Sequence, residues 1–408
     1  MKTDYFSHVL SNGLRLVHLP ADSPVSYCGF AVNAGTRDEE AYEFGLAHFV
    51  EHMLFKGTAK RKAWHILNRM ENVGGELNAY TTKEETFVYS IFMEEHFNRA
   101  FELMADLIFH SQFPEQEIEK EVDVIIDEIN SYEDSPSELI FDEFENILFE
   151  GHALGHNILG DEKSLLSFHS GSGISFMRRF YAPENMIFFS MGRIAFPKII
   201  KLAETTLAGI NFPLAPRNRT APDSIPPVNI QVHKDTHQAH VLIGSRAYNM
   251  HDEKRLPLFL LNNILGGPGM NNRLNVSLRE KHGLVYNVES NITSYTDTGL
   301  ACIYFGTDPK NREKAYHLVV KELEKLREVK LSTNQLSAAK KQVIGQLGVS
   351  SDNKEGLFLG LGKSFLHYNR YDTFPEVFAK VEKLSAEEIQ DVANEIFAPD
   401  KLFTLIYE

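Results

Sequence analysis

Residues Ala47 to Met53 read A-H-F-V-E-H-M. On a helix, side chains four apart lie one above the other, so His48 and His52 project from one face with Glu51 beside them. This pairing suits a divalent metal. A catalytic zinc site takes three protein ligands and leaves a position for water, and a neighbouring carboxylate can accept that water's proton. The order H-x-x-E-H is the inverse of the commoner zinc motif. The same spacing also fits two histidines packed on an ordinary helix, so a third ligand is needed to decide.

One lies in the stretch Glu119 to Asn130, E-K-E-V-D-V-I-I-D-E-I-N. Val122, Ile125, Ile126 and Ile129 recur at helical spacing, which predicts a half-buried helix. Glu121 and Glu128 are seven apart and share a face, whereas Asp127 points elsewhere. Glu128 is therefore read as the third ligand and Glu121 as a carboxylate that orients a ligand or the water. The alternative at this helix is a solvated acidic face.

With Glu128 standing 76 positions after His52, these motifs closely resemble those of the pitrilysin/insulinase family of zinc peptidases. Three further segments carry the likeness: G-L-A-H-F-V-E-H-M-L-F-K-G-T (Gly45 to Thr58), G-G-E-L-N-A-Y-T-T-K-E-E-T (Gly74 to Thr86) and R-E-K-H-G-L-V-Y (Arg279 to Tyr286). The resemblance runs from about residue 5 to the C-terminus. It implies an endopeptidase in which His48, His52 and Glu128 hold one zinc ion per chain and Glu51 is the general base.

Composition agrees. A chain of 408 residues, 43% of them hydrophobic, is long enough for two sizeable cores. The formal net charge of -15 repels nucleic acid and anionic membranes, and around a cavity it would favour basic peptides. The two cysteines, Cys28 and Cys302, lie in apolar, strand-like runs and are read as reduced core residues. No apolar run reaches the length of a membrane span and the first residues lack a signal peptide's apolar core, so the expected location is cytoplasmic.

Five prolines between Pro213 and Pro227 preclude helix and central strand, predicting an extended surface linker. The expected domains are 1–212, carrying the metal, and 228–408, with 213–227 between them. The halves read as a diverged repeat. Laying Met53 and Leu54 over Ile264 and Leu265 puts Phe259, Asn262 and Asn263 where His48, Glu51 and His52 stand, and Gln346 falls opposite Glu128. The second half thus has no metal site. The expected fold class is α+β, with two tandem homologous domains, each a mostly antiparallel sheet with helices packed on one face.

Gly74 to Tyr89 reads as a hairpin whose exposed edge can pair with a substrate backbone. In the resembled family a strand matching Asn78, Ala79 and Tyr80 does this. Arg279 and Tyr286 flank a helix end near Gly283, and alone could simply cap and pack it. The resemblance gives them another role, contacting the substrate carbonyl across a closed chamber. Longer family members carry four such units and this chain two, which implies a homodimer with sites completed across the interface. The expected partner is a peptide or unfolded protein, with no nucleic acid and no membrane. A non-catalytic subunit of a heterodimer, and a precursor-processing peptidase, are the competing readings. His152 and His156 also have metal spacing, but Gly151 and Gly155 argue for a surface loop. The glycine-rich run Leu265 to Arg273 lacks the lysine of a phosphate loop and reads as a mobile loop.

Overall fold

A computed structural model describes residues 5–207, 209–217 and 219–408. The first half of the chain forms β1 (Phe6–Val9), β2 (Arg15–Pro20), β3 (Val25–Val32), α1 (Leu46–Leu54), α2 (Ala63–Glu71), β4 (Glu76–Thr81), β5 (Thr86–Met93), α3 (Phe97–His110), α4 (Glu115–Glu133), α5 (Pro136–Leu148), α6 (Glu162–Leu165), α7 (Ser170–Phe180), β6 (Met186–Gly192) and α8 (Phe196–Leu207). The second half forms β7 (Asn229–Val232), β8 (Ala239–Ala247), α9 (Arg255–Gly266), β9 (Val285–Ser294), β10 (Gly299–Thr307), α10 (Arg312–Glu328), α11 (Thr333–Ser350), α12 (Lys354–Tyr368), α13 (Phe374–Lys383), α14 (Ala386–Ile396) and β11 (Phe403–Tyr407).

The strands make two sheets, ordered β1-β2-β6-β3-β5-β4 and β7-β11-β8-β10-β9. Each has one parallel pair, β2 with β6 and β7 with β11, and is otherwise antiparallel. Apart from β1, which has no counterpart in the second sheet among the described residues, the same strand order and directions are used twice, as the sequence repeat predicts. Central strands such as β3 and β6 are buried along almost their whole length, which fits their unbroken apolar runs rather than an alternating pattern.

One face of the first sheet packs against α1, α3, α4, α7 and α8 in a core that includes Phe49, Phe101, Ile125 and Phe188. Its other face is covered by α12, which inserts Phe358, Leu361, Phe365 and Leu366 against Phe87, Phe189 and Met191. Burying each such side chain contributes about 1.5–3 kcal/mol. Gly362 lets α12 come this close, since a Cβ there would meet the Phe189 ring at 2.8 Å. The second sheet packs α9, α10 and α14 on one face, while α5 covers the other with Ile140, Phe144 and Leu148.

Each sheet therefore carries a helix on the face beyond the one where helices were expected. That helix comes from the opposite half of the chain. The two compact units consist of 1–130, 156–219 and 350–373, and of 131–155, 220–349 and 374–408. Cutting the sequence at 213–227 does not separate them, because α5 and α12 are exchanged. Hydrophobic periodicity marks which face of a helix is buried but not which sheet buries it.

The described residues of 213–227 are in neither helix nor strand. Their path is pinned where the Arg219 guanidinium meets both carboxylate oxygens of Asp38, at 2.9 and 2.6 Å. Cys28 and Cys302 are buried and unpaired, with both thiols pushed up by burial. No helix among the described residues is long and apolar enough to cross a membrane.

Candidate metal centre

Helix α1 is buried at every position except His52, itself only partly exposed, so its histidines are held by packing rather than by choice of rotamer in solvent. Gly45 caps it with φ of +91°, and a Cβ there would lie 2.6 Å from the Leu159 carbonyl oxygen. Only glycine fits both constraints. The exposed amides of the first turn are taken by a side chain from outside the helix. Glu39 accepts hydrogen bonds from Gly45 N at 3.0 Å and Ala47 N at 2.7 Å. A carboxylate at a helix N-terminus also meets the positive end of the helix dipole.

His156 holds Glu39 from the other side. Its Nε2 lies 3.0 Å from Glu39 Oε2, and its ring stacks on Phe44 at 4.2 Å between centroids. The glycines around His156 do keep it in a loop, but the surface position expected there is incorrect: the side chain is buried. A buried carboxylate needs hydrogen-bond donors, and His156 is placed to be one. Sequence reading passed over Glu39, since one glutamate in a chain with 56 acidic residues carries no local signal.

Helix α4 brings the carboxylates. Glu121 Oε1 lies 2.8 Å from His52 Nδ1, and Glu121 Oε2 lies 2.5 Å from Lys56 Nζ. Bonding through Nδ1 leaves His52 Nε2 to point at Glu128, whose Oε2 is 3.6 Å away. His48 Nε2 is 4.0 Å from the same oxygen. The two imidazole centroids are 4.5 Å apart. One donor atom from each of His48, His52 and Glu128 lies within 4.8 Å of the others, the sole such group of three among the described residues. Tetrahedral zinc with bonds near 2.0–2.1 Å requires donors about 3.3 Å apart, so this set needs only small side-chain adjustments. Two imidazoles and a carboxylate are also the donors that zinc accepts in catalytic sites.

Electrostatics separate the roles. His48 is lowered to about 3, first by burial and then by the neighbouring His52, so its imidazole is neutral and free to donate a lone pair. Burial also works to lower His52, but the Glu121 hydrogen bond and the charges of Glu51, Glu121 and Glu128 outweigh it and raise the group. Burial raises Glu51, with Glu128 adding to the effect while Thr81 and His52 oppose it. Its Oε2 is buried and has no hydrogen-bond partner. A carboxylate so placed is ready to take a proton. The Glu128 side chain is 46% exposed, so the cluster opens to solvent on that side.

Strand β4 is the last strand of its sheet, paired only with β5, and it packs beside α1. Asn78, Ala79 and Tyr80 lie on it as the expected hairpin. Tyr80 stacks on Phe87 at 4.9 Å, which fixes that strand against the sheet. In the other unit, Gly283 takes φ of +59° and Tyr286 lies on β9, the edge strand of the second sheet. The Arg279 guanidinium sits 5.7 Å from the Tyr286 ring centroid, and Tyr286 is 85% exposed.

Residues 16–162 match the model for the insulinase family, peptidase family M16, and residues 174–343 match that for the M16 inactive domain. The uncharacterized zinc protease YmxG of Bacillus subtilis is 31% identical over 401 residues, covering 98% of this chain and 97% of that one. An uncharacterized zinc protease of Rickettsia felis is 30% identical over 400 residues, with 98% and 96% covered. Among solved structures, a protease from Helicobacter pylori superposes with a TM-score of 0.91 at 21% identity over the whole of both chains. An M16 inactive-domain protein from Pseudomonas fluorescens gives 0.91 at 19% identity, covering 99% and 97%. The chain belongs to the insulinase family of peptidases, whose metal is zinc.

Proposed function

We propose that this chain is a zinc-dependent endopeptidase acting on peptides or small unfolded proteins. His48, His52 and Glu128 would hold one zinc ion per chain, and Glu51 would be the general base. The observation that carries this reading is the convergence of three donor atoms, drawn from α1 and α4, within 4.8 Å of one another beside an unpartnered buried carboxylate oxygen. Bound zinc supplies a Lewis acid that acidifies water and polarises the scissile carbonyl.

The chain's own residues do the rest. Glu121 fixes the His52 ring through Nδ1, so that Nε2 is the ligand atom. Glu51 accepts the proton of the attacking water at a carboxylate oxygen and passes it to the leaving nitrogen. Substrate adds to the open edge of β4 beside Asn78, Ala79 and Tyr80. Main-chain pairing of this kind holds an extended peptide with little demand on its side chains. Arg279 and Tyr286 donate to the carbonyl oxygen as negative charge grows on it. We further propose that two copies pair, that Arg279 and Tyr286 of one complete the metal site of the other, and that the chamber so formed is closed and cytoplasmic. The M16 inactive-domain match over residues 174–343 supports the reading of the second half as a duplicated unit without zinc.

The reading as a non-catalytic assembly subunit is disfavoured by the retention of His48, Glu51, His52, Glu128, Arg279 and Tyr286 together. The direct test is metal analysis of the purified chain alongside cleavage of a quenched peptide. One zinc per chain and cleavage abolished by a chelator are expected. A chain that binds no zinc, or that cleaves equally well without it, would overturn the reading.

A further inference from the structure

From a basic cavity on the second unit, we infer a binding site for a doubly charged oxyanion of the phosphate class. The cavity, of about 370 Å3, is lined by Arg273, Lys281, Lys325 and Lys330, with Glu322 the one acidic side chain in its wall. In a chain with a formal charge of -15, four cations converging on one concavity depart from the general balance. Two of them are already neutralised: Lys325 pairs with Glu322 at 2.6 Å, and Lys330 with Glu387 at 2.6 Å. Among the described residues, no carboxylate lies within ion-pairing distance of Arg273 or Lys281. Arg273 is partly buried, and burial lowers its guanidinium while Glu322 works the other way. Two cations without a direct ion pair, both lining a cavity, suit a phosphate dianion. A guanidinium fork with an ammonium also matches its several acceptor oxygens.

The site has a consequence that rests on the proposed role of Arg279. Val276 and Ser277 form part of the cavity wall, and both belong to a π-helical segment, Asn275–Glu280, that also carries Arg279. Such segments are uncommon and often lie at functional sites. Arg273 precedes the segment and Lys281 follows it directly, so an anion gripped by both would clamp its ends. Occupancy would then hold Arg279 in one orientation over Tyr286.

The experiment uses the full chain loaded with zinc, at constant ionic strength so that general screening does not change. Calorimetric titration is run with inorganic phosphate, with pyrophosphate and with acetate, and hydrogen exchange of the 273–283 stretch is followed in parallel. Phosphate or pyrophosphate is expected to bind with Kd on the order of 1 mM or tighter. Acetate should bind at least about 10-fold more weakly, since it offers one charge. Lys281→Glu, an exposed substitution that does not threaten folding, should weaken binding about 10-fold or more, and Arg273→Gln should do the same. Bound phosphate should slow exchange across 273–283. Absence of binding, equal binding of acetate, or wild-type binding by the Lys281→Glu variant would each overturn the site. Binding without slowed exchange would overturn the clamp on Arg279. None of these readouts depends on peptidase activity, so a failure here is separable from a failure of the proposed function.

Discussion

Asn263 donates a hydrogen bond from Nδ2 to Gln346 Oε1 at 2.7 Å. When the two halves of the sequence are laid over each other, these residues fall opposite His52 and Glu128, whose donor atoms lie within 4.8 Å of one another. A carboxamide pair thus joins α9 to α11 in the second unit, where α1 faces α4 across the metal cluster in the first. Losing metal ligands from a packed site leaves buried polar positions that must be satisfied, and two amides satisfy each other. Asn263→Ala should therefore lower stability by about 1 kcal/mol through the lost bond and leave zinc content and peptide turnover unchanged. Denaturant unfolding with metal analysis checks this, and a drop in zinc content would show that the second unit shapes the first unit's site.

At the metal cluster, base and second carboxylate should separate cleanly. Glu51→Gln keeps the shape of the side chain and removes the proton acceptor. Zinc content should remain one per chain while kcat falls by a factor of about 100–10,000. Glu121→Gln should act differently, because Glu121 fixes the His52 ring through Nδ1 and is also paired with Lys56. Zinc affinity should fall roughly 10- to 100-fold, with turnover recovering at saturating zinc. A Glu51→Gln variant with normal turnover would remove the base assignment.

Glu39 offers a longer-range test. Its carboxylate bonds two amides at the start of α1 and meets His156, and burial holds it well above the usual carboxylate range. Glu39→Ala should cost about 1–3 kcal/mol in stability by leaving buried amides unpaired. Weaker zinc binding should accompany it, because the cap sits one residue before His48. Glu39→Gln retains one acceptor oxygen and should restore part of both. Thermal unfolding of the apo and zinc-loaded forms distinguishes these outcomes.

How much of this was legible in the sequence depends on distance along the chain. His48, Glu51 and His52 announce themselves because one helical turn joins them. Glu121 and Glu128 were found because a single amphipathic helix carries both. Laying one half over the other placed Asn263 and Gln346 opposite His52 and Glu128, but the hydrogen bond between them is visible only in the structure. By contrast, Glu39 meets His156 across 117 positions. Nothing local in either residue's surroundings marks that contact. The exchange of α5 and α12 was equally hidden, since Phe144 and Phe358 look like any buried helix positions and the sheet they cover is set by the tertiary path.

That exchange predicts an acid-sensitive joint. Glu85, near the start of β5, bonds His367 Nε2 at 2.6 Å and pairs with Lys363, both on α12. Burial alone would raise the Glu85 carboxyl, but the His367 hydrogen bond and the Lys363 charge hold it below its ordinary value of 4.5. A carboxyl lowered in the folded state contributes stability above its unfolded value, and that contribution fades as pH falls through the folded one. Acid should therefore loosen α12 from its sheet. Glu85→Gln should be less stable than the parent at neutral pH, with the difference shrinking as pH drops below 4.5. A difference that is constant across that range would show that the carboxylate is not the source.

The proposed pairing of two chains can be tested without a structure of the pair. If Arg279 and Tyr286 of one copy complete the metal site of the other, a Glu51→Gln chain and an Arg279→Ala/Tyr286→Phe chain are each inactive as homodimers. Mixing them by subunit exchange produces heterodimers in which one of the two sites combines an intact metal cluster with an intact Arg/Tyr pair. For full statistical exchange, half of the molecules are heterodimers with one working site, so activity should return to about one quarter of the parent's. Were both functions instead supplied within one chain, every site would lack one of them and mixing would restore nothing. The exposure of Tyr286, at 85%, is what makes this outcome physically reasonable, since a side chain that large and that open is available to a neighbouring molecule.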